Sequence, residues 1–327
     1  MPKTRLPLPQ LRKRLLSASS YLCLALFLTD AGPVKAADQL IGKPAFEGKA
    51  TFRERAFFSL EGGYWFNDSA SNLSFEPEDG LLVLPPLKPG HDGGTFAFAF
   101  GTTFGPQWDW AAAYRVNALG TSSVSNSGDT ASNRFWYQHL DVELGYRPPQ
   151  WQSMAVRVFV GARALNARNT IHYGYNEIQS GDLKLGNFAH DVDLWGIGPR
   201  AGLQASVPLS QSPFSLDVAS SASAIFSRVS HRSVFDYIQE DSLGDDSGSG
   251  NTTARSSRMV YNLEGSAALG YRPSNAMLLQ VGYQAQKWWN LTNQVRDADK
   301  VGNFTPGRGD VLVHGPFAKI TVELPTR

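Results

Sequence analysis

Apolar and polar side chains alternate along most of the chain. Between Phe135 and Arg147 the even positions are almost all apolar, whereas the odd positions include His139, Asp141 and Glu143. Because neighbouring side chains of a β-strand point to opposite faces, this alternation predicts a strand with one apolar face and one ionised face. The same split recurs in ten segments of the chain. Each segment is long enough for the roughly 9–11 residues that a tilted membrane strand needs.

The connections between these segments alternate in length. The gaps after even-numbered segments are short and comprise residues 105–106, 148–152, 208–212 and 273–274. The gaps after odd-numbered segments are long, rich in Gly, Asn, Asp and Ser, and lie near residues 67–93, 120–133, 167–187, 231–255 and 292–309. Such alternation is typical of up-and-down hairpins with one plain and one elaborated rim. We therefore predict an all-β fold, an antiparallel up-and-down transmembrane β-barrel of about ten strands (8–12), with its termini and short turns in the periplasm.

Aromatic side chains on the apolar faces stand near the ends of the predicted strands, as in Phe58 and Phe66 or Tyr261 and Tyr271. Ten residues of a strand tilted by about 40° climb roughly 25 Å, which is the height of the apolar band of a membrane barrel. Aromatic rings at both levels are typical of the girdles of such barrels. The alternative is a soluble β-sandwich, whose core face is also apolar and aromatic but does not require this spacing.

The N-terminal residues follow a different pattern. A basic stretch that ends at Arg14 precedes an uncharged run at 15–28, and Val34 and Ala36 place small residues at the end of this region. This arrangement predicts a secretory signal peptide that is cleaved after Ala36. A membrane anchor is the alternative, but the run is short and lacks a stop-transfer flank. The predicted organisation is a signal peptide (1–36), a periplasmic linker (37–55) and an outer-membrane barrel (56–324).

Composition narrows the class of protein. No run of about 18 or more uncharged apolar residues occurs, which argues against a bundle of membrane helices. The net charge of +1 gives no sign of a nucleic-acid partner. The single cysteine, Cys23, lies in the predicted signal peptide, so the exported chain has no disulfide. No Cys/His metal spacing, phosphate loop or nucleophile elbow is present, so we predict no cofactor, no metal site and no catalytic residues.

The ionised faces of the predicted strands place charged side chains inside the barrel. We predict that the pore is lined by Glu61, Asp109, Arg115, His139, Asp141, Glu143, Arg157, Arg163, Arg200, Asp217, Arg258, Glu264 and Lys319. The two signs nearly cancel, and two interpretations stay open. The charges form either a network of ion pairs that fills a narrow barrel or a water-filled channel with a mixed-charge constriction. The network matters in both cases, because an unpaired buried charge is costly.

The stretch from His190 to Asp193 combines a histidine with two carboxylates at the outer end of one segment. A histidine beside carboxylates can activate water, as in surface proteases of the barrel type. The alternation places His190 on the lumen face with Val192, whereas Asp191 and Asp193 take the opposite face. We therefore expect these groups not to converge on one catalytic site.

Four stretches resemble a family of bacterial outer-membrane pore-forming proteins, the family related to the Legionella major outer membrane protein. They are residues 134–146, 157–164, 196–203 and 314–324, and the resemblance spreads over about 56–324. It implies a porin-like barrel in the outer membrane of a Gram-negative-type bacterium that forms a passive pore for small solutes or ions. It brings no catalytic residues.

Other functions stay open, because a fold does not fix a function. One is a non-conducting structural or adhesive surface barrel, which long polar loops would also suit. A less favoured one is a barrel enzyme that acts on lipid or peptide. The expected partners are outer-membrane lipid and lipopolysaccharide, the barrel-assembly machinery and further copies of this chain in a homo-oligomer, with no nucleic acid.

Overall fold

The fold is that of a computed structural model, which describes residues 55–69, 87–126, 129–149, 155–179, 182–209, 212–241, 244–298 and 304–325. Its regular structure consists of eleven β-strands: β1 (Arg55–Asn67), β2 (His91–Phe104), β3 (Trp108–Gly120), β4 (Ser122–Asn126), β5 (Asp129–Tyr146), β6 (Arg157–Gln179), β7 (Asp182–Pro208), β8 (Phe214–Asp241), β9 (Gly244–Ser274), β10 (Met277–Ala298) and β11 (Phe304–Pro325). Within those ranges no helix is long and apolar enough to cross a membrane. The predicted signal peptide and, except for Arg55, the predicted linker lie outside the described residues.

The strands pair antiparallel with their neighbours, and the sheet closes on itself. β1 lies between β2 and β11, and β3 pairs with β5 to complete the ring. The short β4 follows β3 after Thr121 and also pairs with β5, so that β3 and β4 together form one strand of the wall. The result is the closed ten-strand antiparallel barrel that the alternating pattern predicts.

The barrel wall separates apolar side chains outside from ionised side chains inside. In β5, Leu140, Val142 and Leu144 are 45%, 50% and 42% exposed, whereas the intervening Asp141 and Glu143 are 4% and 8% exposed. An apolar exterior of this kind is stable only against lipid, because it would be an aggregation surface in water. The face assignment drawn from the sequence alternation is therefore correct for this strand.

The exposed apolar residues form a belt of limited height around the barrel. On β8 this apolar belt runs from Phe214 to Phe226, and on β9 from Tyr261 to Tyr271, with all four rings exposed. The β8 segment climbs roughly 30 Å at about 3.3 Å per residue and a tilt near 40°. Aromatic rings therefore stand at both edges of a belt of membrane thickness, in agreement with the predicted girdles.

Several segments predicted as long loops are strands. Residues 167–187 and 231–255 belong mostly to the hairpins β6–β7 and β8–β9, and the pairing of β8 with β9 runs on to Asp241 and Gly244. The outer face of these extensions meets water, so it no longer needs apolar residues and the alternating pattern is lost. The backbone hydrogen bonds between the strands nevertheless continue. Residues 70–86, in the first predicted loop, lie outside the described part of the chain.

The two rims of the barrel are therefore unequal. At one rim, which we call the plain rim, the strands end together in short connections such as 105–107 and 275–276. At the other, which we call the extended rim, β6 to β9 continue far beyond the apolar belt. In outer-membrane barrels the short turns face the periplasm, so we assign the extended rim to the cell exterior.

Candidate functional site

Charged side chains form a connected network in the half of the lumen nearer the plain rim. Arg157 on β6 donates from Nε and Nη2 to Asp109 at 2.9 and 2.7 Å, and from Nη1 to Glu143 at 3.1 Å. Arg147 adds a second guanidinium to Asp109 at 3.0 Å. Asp109 is fully buried, so these donors replace the hydrogen bonds that its carboxylate loses from water.

Arg163, like Asp109, has no exposed side-chain surface. Its Nε and Nη2 donate to the two carboxylate oxygens of Asp141 at 2.6 and 2.7 Å, and its Nη1 donates to Asn262 at 2.6 Å and to Glu264. Arg200 approaches the same two carboxylates, at 3.5 Å from Asp141 and 3.3 Å from Glu264. Arg200 also contacts Glu143, which links these groups to Arg157. The bidentate geometry fixes the orientation of Arg163 against Asp141.

A second polar group lines the wall formed by β1, β3 and β10. The Arg115 guanidinium lies 2.8 Å from Glu61 through Nη2 and donates from Nη1 to Gln284 at 2.8 Å. The Gln284 amide in turn donates to Glu61 at 3.2 Å. This closed triangle adds a largely buried ion pair on another part of the wall, so the charged groups occupy more than one side of the lumen.

Aromatic rings pack among the cations. The Phe159 ring centroid lies 5.1 Å from the guanidinium carbon of Arg157 and 4.9 Å from that of Arg200. The Trp288 ring lies 5.5 Å from the guanidinium carbon of Arg163. Ring faces attract cations that have lost part of their hydration. These rings also occupy space that water would fill in an open channel.

A cavity of about 590 Å³ lies between the network and the plain rim. Its walls include Glu61, Asp217 and Lys319, and it reaches Arg55 and Arg272, whose side chains are 60% and 46% exposed at the rim. The cavity therefore communicates with the periplasmic side. Because both signs line it, it can admit water and small ions without a strong preference for either charge.

Apolar side chains fill the lumen on the other side of the network, toward the extended rim. We call this set the apolar layer; it consists of Trp65, Leu119, Phe135, Tyr137, Leu165, Ala167, Val192, Leu194, Ile225, Val229, Val260, Trp288, Leu291, Val311 and Val313. Each is at most 5% exposed, and together they come from every strand of the ring except β2. A packed apolar layer of this kind excludes water from this part of the lumen.

The polar tips of the large rings in the apolar layer are hydrogen-bonded. Trp65 donates from Nε1 to Asn117 at 2.8 Å, and the Tyr137 hydroxyl donates to Gln286 at 2.9 Å. The Trp288 indole N–H reaches the same Gln286 oxygen at 3.3 Å. These bonds hold the rings in defined orientations, so the layer is packed and specific.

Most of the predicted pore-lining residues meet in the plain-rim half of the lumen. The cavity wall includes Glu61, Arg115, His139, Asp141, Glu143, Arg157, Arg200, Asp217, Glu264 and Lys319. Asp109 and Arg163 belong to the same network but are fully buried. Arg258 lies apart, because its guanidinium donates to the backbone oxygens of Leu291 and Thr292 at 2.8 and 3.2 Å, beside the apolar layer.

His139 is buried between the two parts of the lumen. Its Nε2 lies 3.8 Å from Asp141 Oδ2, and its ring centroid is 6.0 Å from that of Trp288. From the sequence it was predicted only as one more pore-lining polar group, and the apolar layer beside it was missed. The available signal was that Val192 and Leu194 share the lumen face with His190.

His190 and Asp191 point to opposite sides of β7, as the alternation predicts. His190 is fully buried, its Nδ1 lies 3.0 Å from the Ser233 hydroxyl, and its ring stacks on His231 at 5.8 Å. Asp191 instead accepts a hydrogen bond from Thr170 at 2.8 Å on the outer face. Both histidines lie beyond the apolar belt, where burial lowers the pKa of His190 to about 4 and also lowers the pKa of His231.

Three or more His, Cys, Asp or Glu side chains placed to hold a metal ion do not occur among the residues that the structure describes. The carboxylates of the lumen are instead matched to arginines, as in the pairs of Arg157 with Asp109 and Arg163 with Asp141. The chemistry that this arrangement offers is electrostatic: it fixes charges in place and separates a wet cavity from an apolar layer.

A closed ten-strand barrel with an apolar, aromatic belt outside and ionised side chains inside defines an integral β-barrel protein of the outer membrane. The chain belongs to the family described as Legionella pneumophila major outer membrane protein precursor, which matches residues 52–324. The resemblance drawn from the sequence is thereby confirmed. No curated protein sequence shows significant similarity to the chain.

Solved outer-membrane proteins show only distant similarity to this chain. The outer membrane protease OmpT from Escherichia coli is 12% identical, over 84% of this chain and 97% of that one, with a TM-score of 0.42. A major outer membrane protein from Thermus thermophilus is 14% identical, over 82% and 99%, with a TM-score of 0.28. A Pseudomonas aeruginosa FadL homologue is 9% identical, over 84% and 91%, with a TM-score of 0.36. No function is transferred from them.

Proposed function

We propose that this protein is a closed surface barrel, which strengthens the outer membrane and presents its extended rim to the exterior without conducting solutes at rest. The single observation that carries this proposal is the apolar layer. Fifteen buried apolar residues from nine strands of the ring pack into one cluster in the lumen. The proposal assigns binding and mechanical roles to the protein and no catalysed reaction.

The packing of the apolar layer supports a resting state without conduction. Trp65 and Trp288 have no exposed surface, and the Tyr137 and Trp288 rings meet edge to face with centroids 5.4 Å apart. Opening a water-filled path would expose these rings, at a cost of about 25 cal/mol for each Å² of apolar surface. An apolar constriction of this kind blocks ions by dewetting even before its walls touch.

The charged network supports the same conclusion. The side chains of Arg163, Arg157 and Arg200 are only 0%, 9% and 10% exposed, and each contacts carboxylates directly. Guanidinium groups that line a wide aqueous pore remain hydrated and point into the water. Here they are neutralised and covered, which is typical of side chains that fill a small barrel.

A passive pore for small solutes or ions is the second candidate. The observation that favours it is the cavity of about 590 Å³, which already brings water to the charged network from the plain rim. Only the apolar layer then separates the periplasmic side from the extended rim. In this alternative the layer acts as a gate and not as a permanent plug.

Single-channel recording in planar bilayers separates the two candidates. The wild-type protein is compared with the double variant Trp288→Ala and Tyr137→Ala, which removes two central rings of the apolar layer. Trp195→Ala is the matched control, because this ring is 58% exposed on the outer face. We expect stable conductance steps from the double variant alone. Reproducible, ion-selective steps from the wild-type protein would establish the passive pore and refute the closed barrel.

The route of the protein to the membrane is also a proposal. We propose export by the signal peptide at residues 1–36, followed by insertion by the barrel-assembly machinery among outer-membrane lipids. N-terminal sequencing of the protein recovered from outer membranes should begin at Ala37. Recovery of an intact N-terminus would show that the segment is retained, and chemical crosslinking in the same membranes would reveal whether copies of the chain associate.

A further inference from the structure

Three arginines stand together on the outer face of β8 and β9. Arg228 and Arg232 belong to β8 and Arg255 to β9, and all three are exposed. In the register of the two strands, Arg255 is directly opposite Ser230, which lies between Arg228 and Arg232. Alternate residues of a strand share a face, so all three side chains project from the same surface. We call this set the arginine cluster.

The arginine cluster is compact enough to hold one headgroup. Diagonal neighbours on adjacent strands lie about 7–8 Å apart, so Arg255 is within side-chain reach of both Arg228 and Arg232. A guanidinium presents a planar fork of donors that matches the oxygens of a phosphate group. Three forks around one point on the surface can therefore bind a phosphate group, or two phosphates on one molecule, from several sides.

The charge of the arginine cluster is only partly balanced by carboxylates of the barrel. Within the described residues, Arg228, Arg232 and Arg255 form no ion pair within 4.0 Å. Asp191 of β7 is directly opposite Arg232 and Asp193 is opposite Ser230, but both carboxylates pair with Arg168 of β6 at 3.6 Å. The four arginines outnumber these two carboxylates, so the surface around the arginine cluster keeps a net positive charge toward an external anion.

The position of the arginine cluster indicates which anion it meets. Arg228 is two residues beyond Phe226, at the edge of the apolar belt, and directly opposite Trp195 of β7. Aromatic rings at this edge sit at the level of lipid headgroups, and side chains just beyond them face the phosphate layer. The arginine cluster lies on the extended-rim side of the belt, which we assign to the cell exterior, so the lipid belongs to the outer leaflet.

We propose that the arginine cluster is a binding site for a phosphorylated lipid headgroup of the outer leaflet. The guanidinium forks hold the phosphate groups, while Trp195 and Phe226 contact the acyl region below them. The site fixes the barrel in one class of lipid and ties the extended hairpin of β8 and β9 to the membrane surface.

Native mass spectrometry of the refolded full-length barrel in neutral detergent tests this site. The probes are diphosphorylated lipid A, the same lipid after removal of its phosphates, and inorganic phosphate as competitor. The test variant combines Arg228→Gln, Arg232→Gln and Arg255→Gln. The matched control combines Arg134→Gln, Lys287→Gln and Arg308→Gln, which removes the same number of positive charges from other strands of the barrel.

We expect the test variant to bind diphosphorylated lipid about tenfold more weakly than the wild type, because three exposed ion pairs of modest strength are lost. The control variant should bind the diphosphorylated lipid as the wild type does, which would exclude a general effect of surface charge. The dephosphorylated lipid should bind wild-type and test proteins equally, which would exclude an effect through acyl contacts. Equal binding by the test and wild-type proteins, or equal loss in both variants, would overturn the proposal. Displacement by inorganic phosphate at matched concentration would also overturn it, because the site would then serve a free anion.

The single variant Arg255→Gln keeps the test decisive if the triple variant does not refold. It removes the central member of the arginine cluster and should weaken lipid binding about twofold to threefold. Heat-dependent electrophoretic mobility shows that the barrel is folded. Unchanged binding by a folded Arg255→Gln protein would contradict the proposed geometry.

Discussion

Replacing Arg163 by methionine is expected to lower the free energy of unfolding by about 3–5 kcal/mol, the usual cost of removing one partner from a buried ion pair. The guanidinium is fully buried and donates to Asp141 at 2.6 and 2.7 Å and to Asn262 at 2.6 Å, in addition to Glu264. Methionine retains much of the side-chain length, so the main loss is the charge. The arginine left to Asp141 and Glu264 would be Arg200, at 3.5 and 3.3 Å.

Urea unfolding in lipid vesicles, followed by tryptophan fluorescence, measures this change. The control is Arg272→Met at the plain rim, where the side chain is 46% exposed and lies 3.4 Å from Glu323. An exposed pair of this kind contributes about 0–1 kcal/mol. Adding Asp141→Asn to Arg163→Met should recover part of the loss, because the buried carboxylate no longer lacks its partner.

An Arg163→Met protein that unfolds within about 1 kcal/mol of the wild type would refute the reasoning, since that is the range of a hydrated surface pair. It would mean that water reaches Asp141 and Glu264 in the folded barrel. The charged network would then line an aqueous passage, and the passive pore would become the better proposal.

Further substitutions test the lipid face, the close packing of the wall and the outer histidines. Leu140→Arg, near mid-belt, should lower the free energy of unfolding in vesicles by about 2–4 kcal/mol, whereas Leu324→Arg, near the plain rim, should lower it by about 0–1 kcal/mol. Equal losses would show that the position assigned to the belt is wrong. Gly198→Ala should destabilise by about 1–3 kcal/mol, since its Cβ would lie 1.9 Å from a backbone oxygen of β8. Gly265→Ala, with nothing within 4 Å, should be neutral in the same urea titration. Burial lowers the pKa of His190 to about 4, so stability should fall as pH drops from about 6.5 toward 4 because the unfolded chain binds the proton. His190→Gln should flatten that pH profile.

The wall of the barrel could be predicted because every strand has lipid on one side and the lumen on the other. Lipid outside and charge inside force a period of two, and Leu140 beside Asp141 displays it within two residues. The extended ends of the strands could not be predicted in this way. Beyond Phe226 the outer face meets headgroups and water, so both faces of the strand can be polar. Polar side chains such as Ser230 occur in strands and in loops, so the sequence does not distinguish the two there.

The lumen was predicted only in part. The alternation along a strand tells which side chains face inward, but not how far each one lies along the barrel axis. Arg157 and Arg258 share the inward face, yet one binds Asp109 in the charged network and the other binds backbone oxygens beside the apolar layer. Height depends on strand register and tilt, which are set by pairing across the whole ring. Single residues such as Trp65 therefore gave no sign that they join a layer with residues far away in the sequence.

The unequal strand lengths have a consequence for how the exterior of this protein can vary. β9 has 31 residues and β8 has 28, whereas β1 has 13. One side of the ring therefore carries a long hairpin of β8 and β9 beyond the apolar belt, which we call the screen. Between Phe226 and Asp241 this screen rises roughly 35–40 Å. Deleting residues in pairs from both strands of its hairpin preserves which side each remaining residue faces. The screen can therefore be shortened, lengthened or re-decorated at its tip while the portion in the lipid keeps its register, which makes it a natural place for a foreign peptide to be displayed.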